Sequence, residues 1–166
     1  MSTKLKIAAA VAAAVLLSAC SSPKHEPMPL VKFTPSMEVT EVWSKGLSSA
    51  EGFLVPAVYD DMVFAAGGKT LTRLNARTGE TEWSVSFNSP ITGAVGSDGY
   101  VTAVGLWDGN LEVVDAEGKV SWEKKLTTEL AAPPVVSHGL VIARTMDTRV
   151  SAFEASSGEL QWTYQK

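Results

Sequence analysis

The sequence predicts an all-β protein with the architecture of a β-propeller, and a repeated tryptophan carries most of that prediction. The spacing of about 40 residues between successive copies is typical of chains assembled from one repeated structural unit. The repeated residues are Trp43, Trp83, Trp122 and Trp162. No window after the first 20 residues shows the 3.6-residue apolar period of an amphipathic helix. We therefore expect one small β unit, repeated, with almost no helix.

Turn signals divide each repeat into four short strands. The segments 74–83, 114–122 and 153–162 each contain an apolar run, an acidic or amide residue, an alanine, a glycine and the tryptophan. Two further turns precede this pattern in each copy, built from residues such as Gly and Asp that accept the positive φ of tight hairpins. Three turns in about 40 residues give four antiparallel strands, which is one propeller blade.

The blades are expected at about 54–87, 91–126 and 132–165, with an isolated outer strand at 38–45. Three blades are fewer than the roughly four to eight that close a propeller. The sequence thus predicts an open arc of three blades plus one orphan strand. Two explanations stay open: the chain is the N-terminal part of a propeller of about 350–400 residues at ~40 per blade, or identical chains associate to close the ring.

The repeated tryptophans are expected to dock one blade on the next. A large aromatic side chain at one fixed position can fill the wedge between blades and bury about 150–250 Å². Trp83 and Trp122 should then be largely buried, whereas Trp162 should be more exposed because no fourth blade follows. The alternative is that these indoles stack on a ligand.

The N-terminus is typical of an exported, lipid-anchored protein. Residues 1–19 read as a signal peptide, with Lys4 and Lys6 before an apolar run that is too short to cross a membrane. The run ends in Leu17-Ser18-Ala19-Cys20, which resembles the lipobox of bacterial lipoproteins. Cys20 is the lone cysteine, so it cannot form an internal disulfide, and two or more acyl chains on it would give stable membrane attachment. An ordinary signal peptide with an incidental cysteine is the alternative.

Residues 20–37 contain four prolines and are expected to form an extended tether between the lipid and the propeller. The net charge of −4 becomes more negative once Lys4 and Lys6 are removed, which disfavours nucleic acid as a partner. The membrane is therefore expected to be reached through the lipid alone.

The sequence shows no catalytic constellation, no metal site and no cofactor motif. Its two histidines are His25, in the tether, and His138, in a predicted hairpin turn. Asp60-Asp61 and the segment 108–110 are oxygen-rich turns, for which turn formation is the simpler interpretation and calcium binding the alternative.

One segment stands out as a candidate partner contact. Leu106, Trp107 and Asp108 lie beside a predicted hairpin turn, and Trp107 falls outside the repeating tryptophan position. Exposed aromatic residues are enriched at protein interfaces. The alternative is that Trp107 packs on the adjacent blade.

The repeated segment resembles the PQQ-like propeller repeat, Ala-x-Thr-Gly-x-x-x-Trp. The stretch from Ala76 to Trp83 matches it fully, the stretch from Ala155 to Trp162 has Ser in place of Thr, and the middle copy is one residue shorter and lacks the Thr. The resemblance covers about residues 38–166 and is specific for the fold. It is not specific for function, because quinoprotein dehydrogenases and non-catalytic scaffolds share the repeat.

Together with the lipobox and the tether, the repeat resembles the BamB family of lipoproteins. That resemblance implies a non-catalytic scaffold on the periplasmic face of the outer membrane, and Ser21 after the cysteine suits outer-membrane sorting. It implies as partners the POTRA domains of BamA, other subunits of the assembly machinery and unfolded outer-membrane proteins. Two alternatives remain: part of a membrane-anchored, PQQ-dependent quinoprotein dehydrogenase, and a PQQ-like sensor or binding module.

Overall fold

The computed structural model describes residues 28–48 and 54–165. Cys20, His25 and the whole predicted signal peptide lie outside the described residues. The chain divides into two units, Met1–Val39 and Thr40–Lys166. Of the first unit, residues 28–39 are described, and they are exposed and form neither helix nor strand. All strands of the described residues belong to the second unit.

In the described part of the chain, twelve strands form three four-stranded antiparallel sheets, each in sequence order, which confirms the predicted all-β propeller fold. The first blade consists of β1 (Ala57–Tyr59), β2 (Met62–Gly67), β3 (Thr70–Asn75) and β4 (Thr81–Ser86). The second consists of β5 (Ile91–Ser97), β6 (Thr102–Leu106), β7 (Asn110–Val114) and β8 (Val120–Lys125). The third consists of β9 (Val135–Ser137), β10 (Leu140–Arg144), β11 (Arg149–Glu154) and β12 (Leu160–Gln165). Within the described ranges, no helix is long and apolar enough to span a bilayer.

The blades pack side by side through their first strands. β5 contacts β1 and β2 of the first blade, and β9 contacts β5 and β6 of the second. Each sheet is a meander, so hairpins alternate between its two ends. The β2–β3, β6–β7 and β10–β11 hairpins therefore lie at the same end as the connectors between blades.

The apolar core is divided between the two blade junctions. Phe64, Ile91 and Leu106 belong to the cluster between the first and second blades, and Leu111 and Phe153 to the cluster between the second and third. The middle sheet is covered on both faces, which explains why β6 is buried along its whole length. Neither face of a blade can be buried by that blade alone, so the junctions provide most of the core.

The strand predicted at 38–45 is wrong, because this described segment forms no strand. A strand is stabilised by ladder hydrogen bonds, and the segment takes part in none of the ladders of the first sheet, whose four strands pair with one another. Its tryptophan nevertheless packs on Gly79 of the first blade. Trp43 thus reaches the blade from a segment that is not a strand.

Candidate functional site

Three tryptophans each contact the glycine turn of the following repeat. The indole Nε1 of Trp43 donates a hydrogen bond to the carbonyl oxygen of Ala76 at 2.9 Å. The other two bonds run from Trp83 Nε1 to Ala116 O at 2.9 Å and from Trp122 Nε1 to Ala155 O at 2.8 Å. In all three pairs the acceptor is 33 residues further along the chain. The sequence period therefore produces the same contact, which we call a joint, between each tryptophan and the repeat that follows it.

The glycine in each turn provides the space for that indole. A β-carbon added at Gly79, Gly118 or Gly158 would lie 2.7 Å from Cδ2 of the tryptophan that packs on it. The same three glycines have φ between +71° and +80°, a conformation that residues with a side chain adopt only at a cost. Glycine is required twice over at these positions, by the backbone and by the neighbouring ring.

The tryptophans differ in exposure along the chain. Trp43, Trp83 and Trp122 are partly buried, so the indoles lie along the outer part of the wedge and are not enclosed as the sequence suggested. Trp162 is 44% exposed, and no later turn covers it within residues 54–165. Docking on the next turn therefore accounts for the difference between Trp162 and the other three.

An arginine reinforces the joint between the first and second blades. Arg73 Nη1 donates to Ala116 O at 3.0 Å, so this carbonyl accepts from both Arg73 and Trp83. The Nε atom lies 2.6 Å from Glu82 Oε2, and the guanidinium lies 5.9 Å from the centre of the Phe64 ring. The hydrogen bond ties β3 of the first blade to a turn of the second, and Glu82 and Phe64 hold the guanidinium in place from within the first blade.

The candidate contact at residues 106–108 is only partly accessible. Leu106 is 1% exposed and belongs to the core between the first two blades, so it cannot contact a partner. It is the last residue of β6 and pairs with Ile91, which directs it inward. Trp107 is 60% exposed, and Asp108 is exposed with its carboxylate accepting from the Asn110 amide at 3.1 Å. The prediction is therefore wrong for Leu106, and the accessible part of this segment begins at Trp107.

A second exposed apolar side chain occupies the equivalent turn of the third blade. The amide of Trp107 donates to Pro90 O at 2.8 Å, and the amide of Met146 donates in the same way to Glu129 O at 3.0 Å. Met146 is 66% exposed. Sequence reasoning missed this residue, although aligning the repeats on Ala116 and Ala155 places Met146 opposite Trp107. We call these two positions the connector-end pair.

The acidic turns have structural roles in the described residues. Asp61 Oδ2 lies 3.0 Å from Arg77 Nη2, and Asp61 O accepts from the Ala76 amide, so this turn is tied to the next hairpin of its own blade. Nowhere in residues 28–48 or 54–165 do three or more His, Cys, Asp or Glu side chains come close enough to hold a metal ion.

The middle blade contains one buried acidic residue. Glu112 on β7 is 8% exposed and lies opposite Glu123 on β8. Burial of the carboxyl, with Glu123 and Asp108 nearby, raises the pKa of Glu112 from 4.5 to about 7. The corresponding cross-strand pairs in the outer blades are hydroxyls, Thr72 with Ser84 and Ser151 with Thr163. The middle blade is therefore the one whose stability we expect to depend on protonation.

Four-stranded blades whose tryptophan docks on the Gly turn of the next repeat define a PQQ-like propeller. Solved structures with this fold include a quinohaemoprotein alcohol dehydrogenase from Pseudomonas putida, which is 21% identical to this chain. The match has a TM-score of 0.60 and covers 70% of this chain and 21% of the dehydrogenase. A europium-containing methanol dehydrogenase is 15% identical, with a TM-score of 0.61 over 73% of this chain and 26% of that one. At these identities the similarity is one of fold alone.

Sequence similarity identifies the family. The family model described as "Outer membrane protein assembly factor BamB" matches residues 39–90 and 67–166. Proteins of that name from Burkholderia pseudomallei and Bordetella pertussis are 37% and 32% identical over 95% and 90% of this chain, which are 42% and 41% of the relatives. BamB from Moraxella catarrhalis, a crystal structure, is 26% identical with a TM-score of 0.60 over 68% of this chain and 35% of that one. The chain belongs to the BamB family of outer-membrane protein assembly factors, and it spans about two fifths of the length of these curated relatives.

Proposed function

We propose that this chain acts as a non-catalytic scaffold that helps outer-membrane proteins fold and insert. The observation that carries the proposal is the family match over residues 39–166, which includes all three blades. The relatives are named outer-membrane protein assembly factors. Rigid blades joined through buried junctions suit a scaffold, because they present turns in fixed positions.

The proposed location is the periplasmic face of the outer membrane, with the chain held there by lipid on Cys20. Support comes from the sequence Leu17-Ser18-Ala19-Cys20 and from the prolines that follow it. An extended tether of this kind would allow the propeller to reach partners away from the bilayer surface.

The proposed partner surface is the connector-end pair, Trp107 and Met146. Both side chains are more than half exposed, and both turns are fixed by amide hydrogen bonds to the connector before them. Large apolar side chains on rigid turns are favourable anchors, since little conformational entropy is lost when they are buried. The partners proposed are the POTRA domains of BamA, other subunits of the assembly machinery, and unfolded outer-membrane proteins.

Site-specific photo-crosslinking in cells tests this surface. A photoreactive phenylalanine analogue is placed at residue 107 or 146 of the full chain, and products are identified by mass spectrometry. The matched control is residue 100, because Tyr100 is 73% exposed and lies in the hairpin at the opposite end of the second blade. We expect crosslinks to BamA or outer-membrane proteins from 107 and 146 and few from 100. Equal yields from all three positions, or no assembly-machinery product from any, would refute the proposal.

A further inference from the structure

A cavity of about 330 Å³ lies in the wedge between the second and third blades. One wall is the end of β8 and the start of the following connector, and the other is the face of β10, β11 and β12. This volume lies within the range of small-molecule sites, which is about 300–1,000 Å³. Its lining combines three chemical groups: cations (Lys124, Lys125, Arg149), hydroxyls (Thr127, Thr145, Ser151, Thr163) and apolar side chains (Leu126, Ala143, Phe153, Leu160).

The cavity lies where the repeat changes residue type. Two residues after the docked tryptophan, the first junction has Val85, which packs against the buried core there, and the second has Lys124. Side chains two apart on a strand share a face, so Lys124 lies on the same side as Trp122, toward the third blade. An apolar side chain of the first junction is thus replaced at the second by a cation that lines the cavity.

The cations of the cavity are not neutralised by acids in its lining. Arg149 Nη2 donates to Gln165 Oε1 at 3.0 Å, while its buried Nε has no hydrogen-bond partner within residues 28–48 and 54–165. Asp147, whose Oδ2 is 3.8 Å from Arg149 Nε, is not part of the lining. Thr145 donates a hydrogen bond to Asp147 and thereby lowers its pKa, so Asp147 faces Arg149 as a carboxylate, whereas Lys125 Nζ donates to the carbonyl oxygen of Asp108. Lys124 forms no salt bridge within residues 28–48 and 54–165.

The apolar part of the lining is the interior side. Phe153 is 4% exposed and Ala143 1% exposed, and Leu126 packs against the same core cluster. Lys124 and Lys125 are exposed at the rim. A ligand that fits both parts has an apolar body directed at Phe153 and an anionic head near Lys124 and Arg149.

We propose that this cavity is a binding site for a small carboxylate with a branched or short apolar tail. The carboxylate is the head that Arg149 and Lys124 recognise by charge-assisted hydrogen bonds. Ser151 and Thr163, which hydrogen-bond each other at 2.6 Å, supply further hydroxyls to the same wall. The tail displaces water from the surface formed by Phe153, Ala143 and Leu126.

A second wedge provides an internal control. The segment 45–48 and the first blade enclose a smaller cavity of about 230 Å³, lined by Lys45, which occupies the position of Lys124 relative to its tryptophan. Its other lining residues are Gly46, Leu47, Ser48, Gly67, Thr70, Thr72, Thr81 and Ser84. That cavity has neither an arginine nor an aromatic residue, so it lacks the two features on which the proposed site depends.

The test is a titration of the full chain with 4-methylpentanoate, followed by calorimetry and by amide chemical shifts in NMR. We expect saturable binding that shifts the amides of Ser151, Phe153 and Thr163. Two probes separate the contributions: 4-methylpentanamide keeps the tail without the charge, and acetate keeps the head without the tail. Both are expected to bind at least about fivefold more weakly than 4-methylpentanoate.

Matched variants complete the test. Lys124→Gln should weaken binding at least about fivefold, Lys124→Val, which places the residue type of Val85 here and removes the cation, should weaken it at least as much, and Lys45→Gln should leave it unchanged. Lys124 is exposed, so the fold should survive both changes, as unfolding curves would verify. Absence of saturable binding, equal binding of the amide, shifts confined to residues outside the cavity, or an equal effect of Lys45→Gln would each overturn the proposal.

Discussion

The indole of Trp83 packs so closely on Gly118 that a β-carbon at residue 118 would lie 2.7 Å from Trp83 Cδ2. The hydrogen bond from the same indole to Ala116 O, at 2.9 Å, fixes the ring over the turn. Because the arrangement recurs with Trp43 on Gly79 and Trp122 on Gly158, it is the joint by which each repeat fixes the next.

The first prediction separates backbone strain from steric overlap at this joint. Gly118 and Gly139 have φ of +80° and +73°, but a β-carbon at residue 139 has nothing within 4 Å. Gly139→Ala should therefore cost about 1–2 kcal/mol, the price of a left-handed residue with a side chain. Gly118→Ala should cost about 1–3 kcal/mol more, because the ring of Trp83 must shift. Urea unfolding measures both, and equal losses would show that the ring contact adds nothing.

The second prediction concerns the tryptophans themselves. Trp83→Ala removes a partly buried ring and leaves Ala116 O with one donor fewer, so we expect a loss of about 3 kcal/mol. Trp162→Ala should cost less than about 1 kcal/mol, since Trp162 is 44% exposed and docks on no described turn. Thermal unfolding of the two variants provides the comparison. A Trp162→Ala loss as large as that of Trp83→Ala would contradict the docking role.

The sequence was sufficient to predict the structural features that depend on local residue pattern and on the repeat period. Turn chemistry and the spacing of Trp83 and Trp122 predicted three four-stranded blades, because each turn requires residues that tolerate its backbone conformation. Strand formation at 38–45 was not predictable in the same way, since it depends on a neighbouring edge rather than on the segment itself.

The candidate site was predictable only in part, because exposure is set by tertiary contacts. Leu106 and Trp107 are adjacent in sequence, yet one is 1% and the other 60% exposed, since β6 ends between them. The cavity at Lys124 depends on the volume left between two sheets. A repeat alignment shows that Lys124 replaces Val85, but the chemistry of the opposite wall comes from β10, β11 and β12, which lie later in the chain.

The third prediction concerns the membrane anchor. Cys20→Ser removes the thiol that would receive the lipid, so the variant should remain unprocessed or appear in the soluble fraction. Ser22→Ala is the control, because it lies two residues after the cysteine and leaves the thiol in place. Membrane fractionation and mass spectrometry of the mature N-terminus provide the measurement. An unmodified mature N-terminus in the unaltered protein would rule out the anchor.

The fourth prediction concerns the pH dependence of stability, and it rests on Glu112. Its pKa is raised to about 7 in the folded protein from 4.5, chiefly by burial and then by Glu123, so the folded state binds the proton more tightly than the unfolded state does. The stabilisation is complete below about pH 4.5 and is lost as the pH rises through about 7. The loss should be about 1–2 kcal/mol, less than the shift alone implies, because Glu123 is exposed and solvent screens its charge.

Replacing Glu112 by Gln keeps the shape of the side chain and removes its ionisation. The free energy of unfolding of Glu112→Gln should therefore change less between pH 5 and pH 8 than that of the unaltered protein, and the variant should be the more stable of the two at pH 8. Glu117→Gln, in an exposed hairpin turn of the same blade, is the matched control and should keep the original pH dependence. Urea unfolding at a series of pH values measures all three proteins. If the free energy of unfolding changes with pH equally in Glu112→Gln and Glu117→Gln, the buried carboxyl does not control the stability of the middle blade.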